Sequence, residues 1–272
     1  DGRGLDGSAP AGATLPATWL CQIRAIHCLA TENPATTAFQ ELRRRQLPPA
    51  CRIARQWAPL ENVSPFLLDA VVSYEDPRFW THGGLDYRCI WNAVKKHIRT
   101  RQPSGGASTI TQQLVKNLYL SPERRLSRKI REMLLALIME RMLSKQRILE
   151  LYINAAEWGN GIFGAAGACR YYFDTTPDRI SLLQAVQLAA ILPAPRRYTF
   201  ATPALQDSIR LIASVLERGE RPAQAPDWGP APPGGPAPGG ERPGAPTPPA
   251  PAPGPPAPPP PRGARRRHPV RH

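Results

Sequence analysis

Metal-binding and membrane-spanning patterns are both missing from this sequence. The five cysteines include no Cys-x-x-Cys pair, and they are not spaced with the five histidines as zinc ligands are. The most apolar N-terminal stretch, residues 17–30, is short and is interrupted by Arg24 and His27, so it is not predicted to span a membrane. No convincing run of alternating apolar and polar residues predicts a β-strand. These absences argue against a metal-thiolate centre and favour an all-α fold.

Composition divides the chain into three parts. Residues 1–16 are rich in Gly, Ala, Ser and Pro and are predicted to be a flexible N-terminal segment. Residues 221–272 hold 20 of the 34 prolines, so they are predicted to form a disordered Pro/Ala/Gly-rich tail with a basic tip. Residues 17–220 are the foldable domain, because they are numerous enough to bury a real core.

Positive charge is concentrated in the middle of the chain. Residues 88–147 contain 14 Lys or Arg residues and only three Asp or Glu residues, whereas the flanking parts of the domain are close to neutral. Such a segment suits a polyanionic partner, namely a nucleic acid, anionic lipid headgroups or a phosphorylated substrate. The alternative is a helix surface whose charges are simply solvated.

Apolar periodicity and capping residues predict helices along the whole foldable domain. The predicted helices cover residues 15–30, 36–45, 66–72, 86–101, 128–143, 182–192 and 203–218, with further helices after residues 109, 144 and 164. In the 128–143 helix the predicted buried face comprises Ile130, Met133, Leu134, Leu137 and Ile138. The 86–101 helix has Ile90, Trp91, Val94 and Ile98 on one face among basic residues, which fits either a membrane-surface helix or a core helix with charged edges.

The stretch from Ser73 to Asp86 has the features of a functional site. Glu75 follows an apolar helical run, and Pro77 restricts Asp76 to extended geometry, so the helix is predicted to end at this acidic pair. A carboxylate at the end of a rigid element is well placed to act on a substrate. The alternative is an exposed loop with a solvated Glu-Asp pair.

A second candidate site precedes the helix that begins near residue 110. Hydroxyl and amide side chains follow a glycine-containing break, in the order Ser108-Thr109-Ile110-Thr111-Gln112-Gln113. The free amides of a helix N-terminus favour an anion, although an ordinary N-terminal cap explains the same residues.

Four ordered blocks of residues resemble the peptidoglycan glycosyltransferase family, glycosyltransferase family 51. The first block is Glu75-Asp76, Phe79, His82, Gly84 and Asp86, and the second is Gly106, Ser108 to Gln113 and Lys116-Asn117. The third is Arg128-Lys129, Glu132, Ala136 and Glu140, and the fourth is Lys145, Ile148-Leu149, Tyr152, Asn154 and Gly159. A weaker fifth block covers residues 181–193, where Gln184 replaces the usual Glu.

The resemblance implies a lysozyme-like helical domain that polymerises lipid II into glycan strands for the bacterial cell wall. The acceptor is lipid II, the donor is the growing glycan on undecaprenyl pyrophosphate, and the GlcNAc 4-hydroxyl attacks C1 of the donor MurNAc with inversion. The implied location is the outer, periplasmic face of the cytoplasmic membrane, with an anchor upstream of this chain. Penicillin-binding transpeptidases and divisome or elongation proteins are the implied partners, and nucleic acid is not expected. Neither Ser-x-x-Lys nor Lys-Thr-Gly occurs, so the resemblance is to the form without a transpeptidase domain.

The resemblance also assigns roles to individual residues. Glu75 matches the general base, and Glu132 matches a second essential glutamate that orients cations or holds a divalent metal, Mg²⁺ or Mn²⁺, against the pyrophosphate. No cofactor is otherwise expected. Asp76, Phe79, His82 and Gly84 match positions that shape the first motif. The expected substrate-binding residues are Ser108, Thr109, Gln112, Gln113, Lys116, Asn117, Arg124, Arg128 and Lys129. Because pyrophosphate leaves without protonation once its charge is neutralised, fixed cations can replace a second carboxylic acid.

Two other functions fit parts of the sequence. One is a lysozyme-like hydrolase or lytic transglycosylase with Glu75 as an acid, although such an enzyme has no use for the cations between Lys116 and Arg131. The other is a non-enzymatic protein that binds anionic membranes or nucleic acid through the basic segment and the tail.

Overall fold

The computed structural model describes residues 15–47, 56–101, 108–120, 123, 125–198 and 200–229, with side chains from residue 19 onward. Within these ranges there are ten α-helices and one two-stranded sheet. The helices are α1 Leu15–Cys28, α2 Ala38–Gln46, α3 Pro65–Glu75, α4 Tyr87–Thr100, α5 Ile110–Tyr119, α6 Leu126–Met142, α7 Lys145–Ala155, α8 Ala165–Phe173, α9 Leu182–Ile191 and α10 Pro203–Glu217. The predicted all-α class is confirmed, and the helical architecture is consistent with the lysozyme-like fold that the resemblance implies.

Local capping signals determine where most of the helices begin. Pro65 occupies the first turn of α3, Asp86 accepts a hydrogen bond from the Cys89 amide at the start of α4, and Ser144 caps α7. Ser181 and Gln184 form the predicted capping box of α9. These starts agree with the sequence to within one or two residues.

The core lies between two groups of packed helices. In the first group α3 packs on α9, and α10 contacts both. In the second group α5 packs between α6 and α7, while α2 contacts α5 and α1 contacts α6. The buried face of α9 is rich in alanine, which lets α3 approach closely, and α3 itself buries six consecutive residues from Leu67 to Val72. This packing fixes the direction in which the C-terminal end of α3 presents Glu75.

The sheet is an antiparallel hairpin that the sequence did not predict. β1 Glu157–Gly159 pairs with β2 Ile162–Phe163. Strands of three and two residues are too short to show alternation, so the glycine-rich turn was the only signal. The hairpin is held by the buried Glu157 carboxylate, which accepts hydrogen bonds from Arg43 Nε and Nη2 at 3.0 Å and from the Gly161 amide at 3.2 Å. A buried, multiply hydrogen-bonded ion pair therefore joins α2 to the turn before α8.

The face of α6 that is buried is the opposite of the predicted one. Ile130 and Leu134 are 50% and 45% exposed, and Met133, Leu137 and Ile138 are only partly buried. The stripe formed by Arg128, Glu132, Ala136 and Glu140 faces inward instead. Within it, Glu132 and Ala136 are only 2% and 0% exposed. The prediction was wrong because apolar periodicity shows that a helix has two faces but not which face meets protein.

Helix α4 also leaves its apolar face uncovered. None of its residues is buried, and the stripe of Tyr87, Trp91, Val94 and Ile98 is 67%, 59%, 42% and 74% exposed. The core-helix alternative is therefore wrong for α4. Within the described ranges, no helix combines the length and the apolar character needed to cross a membrane.

Nine residues beyond the predicted end of the domain lie against α3. Arg221 Nε donates to Asp69 Oδ2 at 2.7 Å, and Trp228 Nε1 donates to Asp69 Oδ1 at 3.2 Å. The Trp228 ring also packs 5.7 Å from the ring of Trp80, which contacts Phe79 at 4.9 Å. Residues 221–229 thus cover the nearly buried carboxylate of Asp69 and the motif that follows Glu75. The sequence placed these residues in the disordered tail, the rest of which, like residues 1–14, lies outside the described residues.

We predict that ending the chain after Glu220 lowers the free energy of unfolding by about 1–3 kcal/mol, because the three hydrogen bonds that Arg221 and Trp228 donate to Asp69 and the ring contact between Trp228 and Trp80 are then lost. Thermal unfolding should show a melting temperature several degrees below that of the full chain. A chain that ends after Gly229 is the matched control and should melt like the full chain. Equal melting temperatures for the two truncated chains would contradict the prediction.

Candidate active site

Glu75 is the last residue of α3, and the chain leaves the helix at the next residue. Asp76 has φ −159° and ψ 74°, which is outside the helical region, as expected for a residue that precedes proline, although its ψ is smaller than that of an extended strand. The Glu75 side chain therefore projects from the end of a buried helix rather than from a loop. This geometry agrees with the predicted helix end and places the carboxylate on a rigid support.

The Asp76 side chain connects this helix end to the first turn of α5. Its Oδ2 accepts from the Ile110 amide at 3.0 Å and lies 2.9 Å from His82 Nε2. The Gly84 amide donates to His82 Nδ1 at 3.1 Å, so the proton of the neutral ring is on Nε2 and points at Asp76. The Asp76 carboxylate thus accepts a hydrogen bond from one of the α5 N-terminal amides, which were predicted to favour a ligand anion.

The rest of the first turn of α5 is also satisfied internally. Thr109 and Gln112 form a capping box, and the Thr109 hydroxyl donates to the Gly84 carbonyl at 2.7 Å. Both residues are almost fully buried, at 2% and 1% exposure. The cap that the sequence left as an alternative is therefore present, and the polar atoms of these two residues bind backbone.

Gly84 lies between α5 and α6 in a conformation that excludes other residues. Its φ is +91°, and a Cβ would lie 2.9 Å from Glu140 Cγ and 3.0 Å from the Ala136 carbonyl oxygen. Thr111 donates to Glu140 Oε1 at 2.5 Å, and Lys145 Nζ lies 2.9 Å from the same oxygen. Ala136 and Glu140, on the inward face of α6, therefore hold the first motif in place through their contacts with Gly84, α5 and Lys145 of α7.

Phe79 is the residue of the first motif whose side chain packs in the protein interior. Its ring is fully buried, and Lys145 Nζ lies 4.4 Å from the ring centroid. Burial lowers the pKa of Lys145, against the attraction of Glu140. Phe79, like Asp76, His82 and Gly84, lies in the interior support of the site.

The Glu75 carboxylate receives one hydrogen bond from the described residues. Gln113 Nε2 donates to Oε2 at 2.6 Å, whereas Oε1 is buried and accepts none. Burial raises the pKa of Glu75, and the Gln113 hydrogen bond and the charge of Lys116 offset only part of this effect. A carboxylate in this state is a stronger base than one in water.

A cluster of cations faces Glu75 from α5 and α6. Glu132 is 2% exposed and pairs with Arg128 Nη1 at 2.7 Å and with Lys129 Nζ. Lys129 Nζ also lies 2.9 Å from Ser108 Oγ. Burial lowers the pKa of Lys116, and the carboxylates of Glu132 and Glu75 both oppose that shift. Lys116 therefore interacts with the Glu75 side and with the Glu132 side of the site.

The structure brings most of the predicted site residues into one network. The residues joined in it by hydrogen bonds, ion pairs or charge interactions are Glu75, Ser108, Gln113, Lys116, Arg128, Lys129 and Glu132. Asn117 is buried on α5, and Arg124 lies outside the described residues. Thr109 and Gln112 stay predictions as substrate ligands.

One partner of the site was not assigned a function from the sequence. The Tyr152 hydroxyl on α7 donates to Gln113 Oε1 at 3.1 Å. The sequence placed Tyr152 in the fourth block of the resemblance without a role, and no local signal could have named a partner 39 residues away.

The arrangement can accept a proton and stabilise an anion within one site. Glu75 supplies a poorly solvated carboxylate, and the charge of Lys116 acts on it. Arg128 and Lys129, which pair with Glu132, supply further positive charge near Lys116. Among the described residues, no group of three or more His, Cys, Asp or Glu side chains could hold a metal ion.

Comparison with known proteins agrees with these features. Residues 44–218 match the family model described as Transglycosylase. The chain is 39% identical over 220 residues to the biosynthetic peptidoglycan transglycosylase of Alcanivorax borkumensis. The aligned residues make up 81% of this chain and 86% of the relative. Proteins with the same description from an Azoarcus species and from Nitrosomonas eutropha are 44% identical over 171 residues and 41% identical over 197 residues. These matches cover 62% and 71% of this chain and 74% and 81% of the relatives. The chain belongs to the transglycosylase family.

Proposed function

We propose that this protein is a peptidoglycan glycosyltransferase that polymerises lipid II into glycan strands. The observation that carries the proposal is a Glu75 carboxylate whose Oε1 is buried without a hydrogen bond and which interacts with Lys116, the member of the cationic cluster that acts on both Glu75 and Glu132. A hydrolase of neutral glycan needs the carboxylate but not the cations. A non-enzymatic anion binder needs the cations but not a carboxylate held unpaired in the interior.

In the proposed reaction Glu75 takes the proton of the acceptor hydroxyl. The GlcNAc 4-hydroxyl of lipid II attacks C1 of the donor MurNAc, the C1–O bond to undecaprenyl pyrophosphate breaks with inversion, and the proton passes to the Glu75 carboxylate. Oε1 is the oxygen that lacks a hydrogen bond among the described residues, and the acceptor hydroxyl would donate one to it. Since Oε1 is covered in the free protein, the carboxylate must rotate or its cover must shift when the acceptor arrives.

The leaving pyrophosphate carries negative charge that the cationic cluster neutralises. Lys116 is a half-buried ammonium that interacts with both carboxylates, and Arg128 offers a guanidinium that can bind two phosphate oxygens at once. Lys129, held by Ser108 and Glu132, adds a second ammonium. Arg124 is proposed as a further phosphate contact on the resemblance alone.

Glu132 is proposed to orient these cations. The divalent cation that the resemblance admits, Mg²⁺ or Mn²⁺, would have Glu132 as its protein ligand. Both Glu132 oxygens already accept hydrogen bonds, one from Arg128 and the other from Lys129. The residue as placed does not fit a resident metal, and no step of the proposal runs through one.

The exposed apolar stripes suit the location of a lipid-linked substrate. We propose that α4 lies on the outer face of the cytoplasmic membrane, with its apolar stripe in the interface and Arg88, Lys95, Lys96 and Arg99 near anionic headgroups. The stripe of Leu126, Ile130 and Leu134 on α6, exposed by 78%, 50% and 45%, has the same character. Penicillin-binding transpeptidases and divisome or elongation proteins are proposed as the partners that receive the glycan product.

We predict that Glu75→Gln abolishes polymerisation, with a loss of at least about a hundredfold, because the amide cannot accept the proton. Binding of lipid II should be unchanged, since the shape of the side chain is kept. A lipid II polymerisation assay with separated products measures the first quantity, and a direct binding assay measures the second. Glu61→Gln, at an exposed position, is the matched control and should retain full activity.

Other outcomes of the same assay would favour the rival functions. Soluble short muropeptides released from preformed glycan, without new long strands, would indicate a hydrolase. Full function in Glu75→Gln would indicate a binding protein.

Lys116→Ala should weaken binding of pyrophosphate-bearing lipid, and unchanged affinity would remove Lys116 from the phosphate site.

We also predict a bell-shaped dependence of kcat/KM on pH. Burial raises the pKa of Glu75, so activity should be present at high pH and lost on acidification at a value above the usual ~4.3 of a glutamate. Burial lowers the pKa of Lys116, so activity should fall on the alkaline side below the usual ~10.4 of a lysine. Lys116→Arg should move the alkaline limb upward, because arginine stays protonated. An unmoved alkaline limb would show that another group titrates there.

For the membrane surface, we predict that Ile98→Glu weakens binding to vesicles of phosphatidylglycerol and phosphatidylethanolamine by roughly tenfold, since it replaces an exposed aliphatic side chain, which would insert into the interface, with a charged one. Asn92→Glu adds the same charge to an exposed position off the stripe and serves as the control. Vesicle sedimentation measures both. Equal losses in the two variants would mean that charge alone, and not the stripe, sets the affinity.

A further inference from the structure

Three side chains from three helices form a hydrogen-bonded chain that ends at Glu75. The Tyr152 hydroxyl on α7 donates to Gln113 Oε1 on α5 at 3.1 Å, and Gln113 Nε2 donates to Glu75 Oε2 at 2.6 Å. Tyr152 is 1% exposed. The far end of this chain is therefore buried in the core, where α5 and α7 pack together.

The amide of Gln113 has two ends of nearly equal shape, and its partners decide which end faces Glu75. Burial, followed by the charges of Glu75 and Asp76, raises the pKa of Tyr152 well above its ordinary value, so the hydroxyl keeps its proton and can donate. A donor on the Tyr152 side holds Oε1 there and turns the NH₂ group toward the carboxylate. The flipped amide would direct its own oxygen at the ionised Glu75, which is repulsive.

We propose that Tyr152 is a positioning residue for the transfer reaction. It fixes the amide of Gln113, so that the N–H of Gln113 holds Glu75 Oε2 and leaves Oε1 without a partner for the acceptor hydroxyl. The inference rests on the proposed function, in which Glu75 is the base. Tyr152 itself does not contact the reacting atoms in this account.

The hydrogen bond from Gln113 also affects how readily Glu75 ionises. The charged or titratable groups that act on the carboxylate are Asp76 from the end of α3, Lys116 from α5 and Tyr152 from α7. Burial and the Asp76 charge raise the pKa of Glu75, whereas the Gln113 hydrogen bond and Lys116 lower it. Loss of an oriented N–H donor must therefore raise the pKa of Glu75 further and reduce the ionised fraction at a given pH.

The test is a double-mutant cycle on the full chain. Tyr152→Phe removes only the hydroxyl, Gln113→Leu removes the amide, and the double variant removes both. Tyr172→Phe is the matched control, because its hydroxyl donates to the Trp158 carbonyl at 3.0 Å and takes no part in this network. The measurements are kcat, KM for lipid II and the acidic limb of the pH profile. A direct titration of Glu75 by infrared difference spectroscopy against Glu75→Gln supplies a readout that needs no turnover.

Tyr152→Phe is expected to lower kcat roughly tenfold, with KM nearly unchanged, and to move the acidic limb upward. Gln113→Leu should move the limb further in the same direction. In the Gln113→Leu background, Tyr152→Phe should add no further shift, because it acts only through the amide. Tyr172→Phe should behave like the wild type.

Two results would overturn the inference. One is a Tyr152→Phe variant whose Glu75 titrates as in the wild type, and the other is an equal shift from Tyr152→Phe with and without Gln113. A wild-type protein that makes no glycan from lipid II would refute the proposed function instead. In that case the infrared titration still decides whether Tyr152 acts on Glu75 through Gln113.

Discussion

The hydrogen bond from the Ile110 amide to the Asp76 carboxylate is the contact on which the rest of the site depends. It joins the end of α3, which presents Glu75, to the start of α5, which presents Gln113 and Lys116. His82, whose tautomer is fixed by the Gly84 amide, also contacts the Asp76 carboxylate, and the Gly84 backbone lies close to α6. Glu75 and Lys116, the proposed base and a proposed phosphate ligand, are therefore positioned through the one carboxylate of Asp76.

The distribution of polarity follows from the chemistry that the interior must perform. Helix α6 turns Glu132 inward together with the cations that flank it, and it leaves Ile130 and Leu134 outside. In most helices the apolar side chains face the core and the charged ones face solvent, because burying a charge costs free energy unless an opposite charge pairs with it. Here the pairing is supplied by Glu132 in the free protein, and the incoming phosphates would share it.

Local signals in the sequence predicted the helices and the order of the site residues. Capping residues such as Asp86, Ser144 and Ser181 act within one turn, so the sequence alone reveals them. The outward face of α6 could not be predicted, because periodicity is the same whichever side meets protein. Contacts between distant residues, such as Tyr152 with Gln113 or Trp228 with Asp69, depend on the packing of whole helices and leave no local trace.

Two contacts fix the rotation and the axial position of α5. The Ile110 amide donates a hydrogen bond to Asp76, and Thr109 donates one to the carbonyl of Gly84, which itself lies close to α6. The register of this helix is thus set by residues that precede α4 in the chain, and not by the connection that leads directly into it. Insertions or deletions between Arg101 and Ser108 should consequently be compatible with an unchanged catalytic geometry. The length of this connection could therefore differ between related proteins while Glu75 and Lys116 keep their relative positions.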